Sequence, residues 1–237
     1  MADNRIIAAL DVHSLDDMQS IVKRLGENIS FYKVGMELFY SAGPDSVRYL
    51  KDQGKKVFLD LKVHDIPNTV GQSLRALVRL GADFMTLHGT GGEAMMMAAV
   101  EAVKNEAEKL QISSPQLLAV TVLTSFDERS WQQVGGAVPL KDTVKRLALL
   151  AKKSGIDGVV ASPHEAMDIR KCCGDDFLIV TPGIRPAFAQ INDQKRIATP
   201  VQALLCGASH LVIGRPIMKA DDPVLAVEKI IEEIQGV

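Results

Sequence analysis

The chain has 237 residues, 47% of them hydrophobic, and its formal net charge of −2 speaks against nucleic acid or an anionic membrane as its main partner. No apolar run approaches the ~18 residues of a membrane span, and no apolar segment follows a basic start as in a signal peptide. Three cysteines, two of them adjacent at Cys172 and Cys173, make neither a disulfide framework nor a CxxC metal site, so the expected compartment is a reducing cytoplasm.

Strand-like apolar runs alternate with helical patterns along the whole chain. The first strand is predicted over Arg5 to Asp11, and Ser14-Leu15-Asp16-Asp17 then offers a hydroxyl cap and first-turn acids to a helix. Phe31 to Val34 is the second strand, followed by a helix around Pro44 to Gln53. Val57 to Leu61 is the third, with a helix from Thr69 to Leu80 closed by Gly81. Phe84 to Leu87 is the fourth, before a long helix from Glu93 to Leu110. Leu117 to Val122 is the fifth, with its helix near Thr143 to Lys153. Gly158 to Ala161 is the sixth, followed by a short helix from His164 to Lys171. Leu178 to Thr181 and His210 to Ile213 are the seventh and eighth, with helices near Pro200 to Cys206 and Val224 to Ile234.

Eight strand-helix units at an even pitch imply parallel strands joined by right-handed crossovers. The predicted fold is α/β, a single (β/α)8 barrel over residues 1–237 with its active site at the strand C-terminal ends. An open doubly wound sheet competes, but it usually has fewer units, and no GxGxxG follows the first strand.

The strand exits carry the polar residues: Asp11, Lys33, Asp60 with Lys62, His88, Thr124-Ser125, Ser162, Pro182 with Arg185, and Gly214-Arg215. Their gathering at one end is stronger evidence of a site than any one of them. Residues two apart on a strand share a face, so Asp60 and Lys62 are expected side by side, with Asp65 just beyond. Carboxylates around a lysine favour its charged form, making it a fixed cation and proton donor rather than a Schiff-base nucleophile. A purely structural ion-pair network fits the same segment.

Thr181-Pro182-Gly183-Ile184-Arg185 and Val212-Ile213-Gly214-Arg215 leave the seventh and eighth strands, where barrels frequently hold phosphate. Glycines let backbone N–H groups approach the oxygens, and arginine can make a bidentate contact. Alternatively, Arg215 caps a helix or pairs with Asp221 and Asp222. The long polar loop from Gly183 to Thr199 reads as a lid, with Gln194 able to fold over a phosphate, or as an ordinary surface loop. The five histidines show no HxH or HExxH spacing, so no catalytic metal is expected. His88 is expected to play a hydrogen-bonded supporting role.

Taken together, Asp60-x-Lys62-x-x-Asp65-Ile66-Pro67-Asn68-Thr69 resembles the signature of the orotidine 5'-monophosphate decarboxylases. Ala9-Leu10-Asp11, Lys33-Val34-Gly35-Met36-Glu37, His88, Val122-Leu123-Thr124-Ser125, Asn192-Asp193-Gln194 and the two phosphate-type strand exits agree with it. DxKxxD alone is shared with related phosphosugar enzymes; the Ile-Pro-Asn-Thr extension is more specific. The resemblance implies decarboxylation of orotidine 5'-monophosphate to uridine 5'-monophosphate, without metal or cofactor, by a homodimer with sites at its interface. It implies that Lys33, Asp60, Lys62 and the neighbouring subunit's copy of Asp65 form a charge network, with Thr69 also reaching across. Asp11 and Lys33 would contact the ribose, and Thr124 the pyrimidine. Arg185, Gln194, Gly214 and Arg215 would hold the phosphate, while Ile66 and Pro182 would wall the space for carbon dioxide. The resemblance implies a lid over residues 186–191. A magnesium-dependent phosphosugar decarboxylase or aldolase, and a catalytically dead nucleotide-binding barrel, are the rival readings.

Overall fold

The computed structural model describes residues 2–188 and 198–237. Among them, eight parallel strands close into a barrel in sequence order: β1 (Ile6–Ala9), β2 (Phe31–Gly35), β3 (Lys56–Val63), β4 (Phe84–His88), β5 (Gln116–Val120), β6 (Gly158–Val160), β7 (Leu178–Thr181) and β8 (His210–Ile213). Such strands are covered on both faces, which is why they read as unbroken apolar runs. Side-chain alternation divides them into two layers. Ile7, Ala9, Phe31, Phe58, Phe84, Leu118, Val180 and Val212 fill the barrel interior. Ile6, Ala8, Tyr32, Val34, Val57 and Leu59 face outward into the larger core beneath the helices.

The helices are α1 (Leu15–Leu25), α2 (Met36–Ala42), α3 (Asp45–Asp52), α4 (Pro67–Val78), α5 (Gly92–Leu110), α6 (Glu128–Gln133), α7 (Leu140–Lys153), α8 (Pro163–Cys173), α9 (Pro200–Leu205), α10 (Arg215–Met218) and α11 (Pro223–Glu233). The expected cap of α1 is present: Ser14 Oγ accepts from the Asp17 N–H over 3.1 Å. Three short helices go beyond the sequence expectation. Gly35 ends β2 and caps α2 directly, Asp127 and Ser130 close a capping box on α6, and Pro216 lies in the first turn of α10. No helix among the described residues is long and apolar enough to cross a membrane.

Three strands are shorter than expected at their exits, which leaves Asp11 beyond β1, Val122 beyond β5 and Ala161 beyond β6. β3 differs in the opposite sense: it continues through Lys62 to Val63 and bulges. Leu59 pairs with Met85 and Val63 with Leu87, so four steps along β3 face two along β4. Lys62, inside the bulge, has φ 52°, in the left-handed region that non-glycine residues rarely occupy.

The opposite end of the barrel is closed by aromatic rings. His210 meets Phe84 and Phe31 edge-on, with centroids 5.2 Å and 6.0 Å away. Burial, helped by Lys56 and opposed by Asp3, pushes the His210 imidazole down to about 4. It is a neutral packing residue, far from the polar strand exits.

Candidate active site

At the C-terminal ends of the strands lies a cavity of about 260 Å³. Its polar lining is Asp11, Lys33, Asp60, Lys62, Thr124, Arg185 and Arg215, with Pro182, Gly183 and Gly214 along one side. The remaining wall is apolar, formed by residues such as Phe58, Val120, Val160 and Val212. Those strand residues gave no sequence signal, because an apolar residue facing the barrel mouth looks like one facing its core.

The charges alternate. Lys62 Nζ donates to Asp60 Oδ2 over 2.8 Å, Lys33 Nζ stands 3.8 Å from the same oxygen, and Lys33 also donates to Asp11 Oδ1 over 3.1 Å. Asp60 is 8% exposed. Its other oxygen accepts from the buried Thr86 hydroxyl over 3.0 Å. Both Asp60 oxygens are therefore engaged, as a carboxylate removed from water requires. Gly35 permits this packing: a Cβ there would sit 2.9 Å from Lys33 Nζ. Gly214 does the same for Asp11, since its Cβ would stand 3.3 Å from Asp11 Oδ2.

Asp60 and Lys62 meet as expected, though through a bulge rather than regular alternation. Asp65 does not join them within the chain. It is exposed, and its Oδ1 accepts from the following Ile66 N–H over 2.7 Å. Ile66, 66% exposed, and Thr69 also face outward, so neither lines this chain's own cavity. The turn after β3 carries them away from the mouth and into the start of α4.

Arg185 is 7% exposed, and its backbone N–H donates to Ala198 O over 2.9 Å, tying together the two ends of the loop between them. Gln194 and most of the expected lid lie outside the described residues. Arg24 reaches the turn that follows α10, donating to Asp221 O over 2.7 Å and standing 4.0 Å from Asp222. His88 meets His64 ring to ring, with centroids 5.2 Å apart. Burial, then His64 and Lys62, lower its pKa, which favours a neutral ring beside the cationic site.

A closed parallel barrel with fixed charges of both signs at its strand exits defines a (β/α)8-barrel enzyme. Residues 4–230 match the model of the orotidine 5'-phosphate decarboxylase / HUMPS family, and the chain belongs to that family. It is 52% identical over 98% of its length to an orotidine 5'-phosphate decarboxylase of Trichlorobacter lovleyi, covering 96% of that protein. It is 51% identical over its full length to one from Moorella thermoacetica, covering 94% of it. A crystal structure of orotidine 5'-phosphate decarboxylase from Lactobacillus acidophilus superimposes with a TM-score of 0.87 at 43% identity, covering 99% of this chain and all of that one.

Proposed function

We infer that the chain is a carboxy-lyase that converts orotidine 5'-monophosphate to uridine 5'-monophosphate and carbon dioxide in pyrimidine synthesis. Kinship at about half identity across nearly the whole chain supports the reaction. The observation that supports the mechanism is Lys62 held by Asp60 at the mouth of the barrel.

In the reaction, the bond between C6 and the carboxyl carbon breaks and its electron pair stays on C6. No neighbouring group of the pyrimidine absorbs that charge, so the protein must place positive charge there. The Lys62 ammonium, fixed by Asp60, supplies it and then gives C6 a proton. No metal or organic cofactor is needed for either step. Lys33 stands between Asp11 and Asp60, positioned for the ribose hydroxyls with Asp11. Thr124 lies against the base, Pro182 walls the carboxyl side, and Arg185, Gly214 and Arg215 face the phosphate. Phosphate contacts, remote from C6, let binding energy lower the barrier.

The working unit in this proposal is a homodimer in which Asp65, Ile66 and Thr69 complete the neighbouring subunit's site. The exposure of all three, with an isoleucine among them, supports that arrangement. We place the protein, one barrel domain with its site at the strand C-terminal ends, in the cytoplasm.

The test is spectrophotometric. Purified protein in EDTA should deplete the absorbance of orotidine 5'-monophosphate at the same rate as without chelator, and should bind 6-hydroxy-UMP, an anionic mimic of the intermediate. Activity that requires magnesium would favour the phosphosugar reading. Binding without turnover would mean a dead barrel.

A further inference from the structure

Thr86 lies in the middle of β4, within the apolar run Phe84-Met85-Thr86-Leu87, and is 1% exposed. A buried hydroxyl there needs partners. It has two, and both belong to the catalytic segment. The Lys62 backbone N–H donates to Thr86 Oγ1 over 2.8 Å, and Thr86 Oγ1 stands 3.0 Å from Asp60 Oδ1. The direction of each bond is forced. An amide can only donate and a carboxylate can only accept, so the hydroxyl accepts from Lys62 and gives its own proton to Asp60.

The register explains the need. Met85 and Leu87 hold normal pairings with Leu59 and Val63, and Thr86 faces the surplus residues between them. In a bulge the extra residues lose their ladder partners, and Lys62 is additionally held at φ 52°. A strained backbone of this kind persists only where its surroundings fix it. The Thr86 hydroxyl is such a fixture: it replaces the missing ladder acceptor and locks the carboxylate that aligns the Lys62 ammonium.

We propose that Thr86 is a positioning residue of the decarboxylation, its hydroxyl setting the backbone of Lys62 and the carboxylate of Asp60 at once. The proposal rests on the reading that Lys62 acts at C6. Thr86 touches no substrate atom in this account, so its removal affects kcat and leaves KM nearly alone.

The experiment compares Thr86→Val, Thr86→Ser and Thr86→Ala at saturating orotidine 5'-monophosphate, with Lys62→Ala as a control and thermal melts of each protein. Thr86→Val keeps the shape and loses the hydroxyl; kcat should fall by ~10–100-fold with KM within about threefold, the scale of a small misplacement of a catalytic group. Thr86→Ser should show a kcat about tenfold or more above that of Thr86→Ala, because the pair differs only in the hydroxyl. That comparison decides the matter even if the valine variant does not fold. Equal kcat for serine and alanine, or loss in proportion to melting temperature alone, would overturn the proposal. Full activity of Lys62→Ala would instead remove the reading beneath it.

Discussion

Lys62 donates to Oδ2 of Asp60 over 2.8 Å, and that same oxygen faces Lys33 at 3.8 Å. Asp60 thus balances two ammonium groups while almost wholly removed from water. Such an arrangement is weak evidence for stability but strong evidence for use, since the desolvation of three charges is repaid only by good geometry.

Asp60→Asn leaves Lys33 and Lys62 facing each other across a neutral amide. Stability should drop by about 2–3 kcal/mol, the scale of a lost charged hydrogen bond in a largely buried site. Urea unfolding at fixed protein concentration measures it, and turnover should fall in the same variant. An unchanged midpoint would show that the pair is not coupled as the geometry implies.

Arg215→Ala should act on affinity. Loss of a desolvated contact to phosphate costs about 2–4 kcal/mol. Steady-state kinetics should therefore show kcat/KM reduced by roughly 30- to 1,000-fold, with melting temperature little changed. An effect confined to kcat would place Arg215 outside the phosphate site.

His210 gives the protein an acid-sensitive component of stability. Its ring titrates near 6.5 in an open chain and is pushed down to about 4 in the fold by burial and Lys56. Above pH 6.5 both states are neutral, and the contribution is fully present. As pH falls from 6.5 towards 4, the unfolded chain takes up a proton that the folded one resists, and stability is lost. His210→Phe keeps a ring against Phe31 and Phe84 but cannot titrate. The difference in denaturation midpoint between the two proteins should change between pH 6.5 and 4 and be constant above it. A pH-independent difference would refute a neutral His210.

The dimer reading predicts complementation. Lys62→Ala and Asp65→Ala subunits are each expected to be nearly inactive alone. In a mixed dimer, one of the two sites combines an intact Lys62 with an intact Asp65 from the other chain. Random reassortment should therefore restore roughly a quarter of the wild-type activity, by the symmetry of a two-fold dimer. No recovery in a preparation shown to contain mixed dimers would place Asp65 outside the site.

The barrel was legible because its strands are apolar on both faces and its helices carry caps, such as Ser14 for α1. The placement of Asp11, Lys33, Asp60, Lys62, Arg185 and Arg215 around one cavity followed from their position at strand exits. The bulge of β3 was not legible, since period-two alternation and a bulge both bring Asp60 and Lys62 together. Thr86 was hidden in an apolar run, where a threonine reads as strand filler. The outward exposure of Asp65 and Thr69 was expected only through family resemblance, and that of Ile66 was not expected at all, because a single chain's pattern does not say which residues beyond a strand exit turn away from its own cavity.

The most direct measurement is single-turnover decarboxylation by Lys62→Ala with enzyme in excess over orotidine 5'-monophosphate. With the melting temperature preserved, the rate constant should fall by several orders of magnitude, because the charge at C6 loses its counterpart. A rate within a few-fold of wild type would contradict the account, whatever the kinship of the chain.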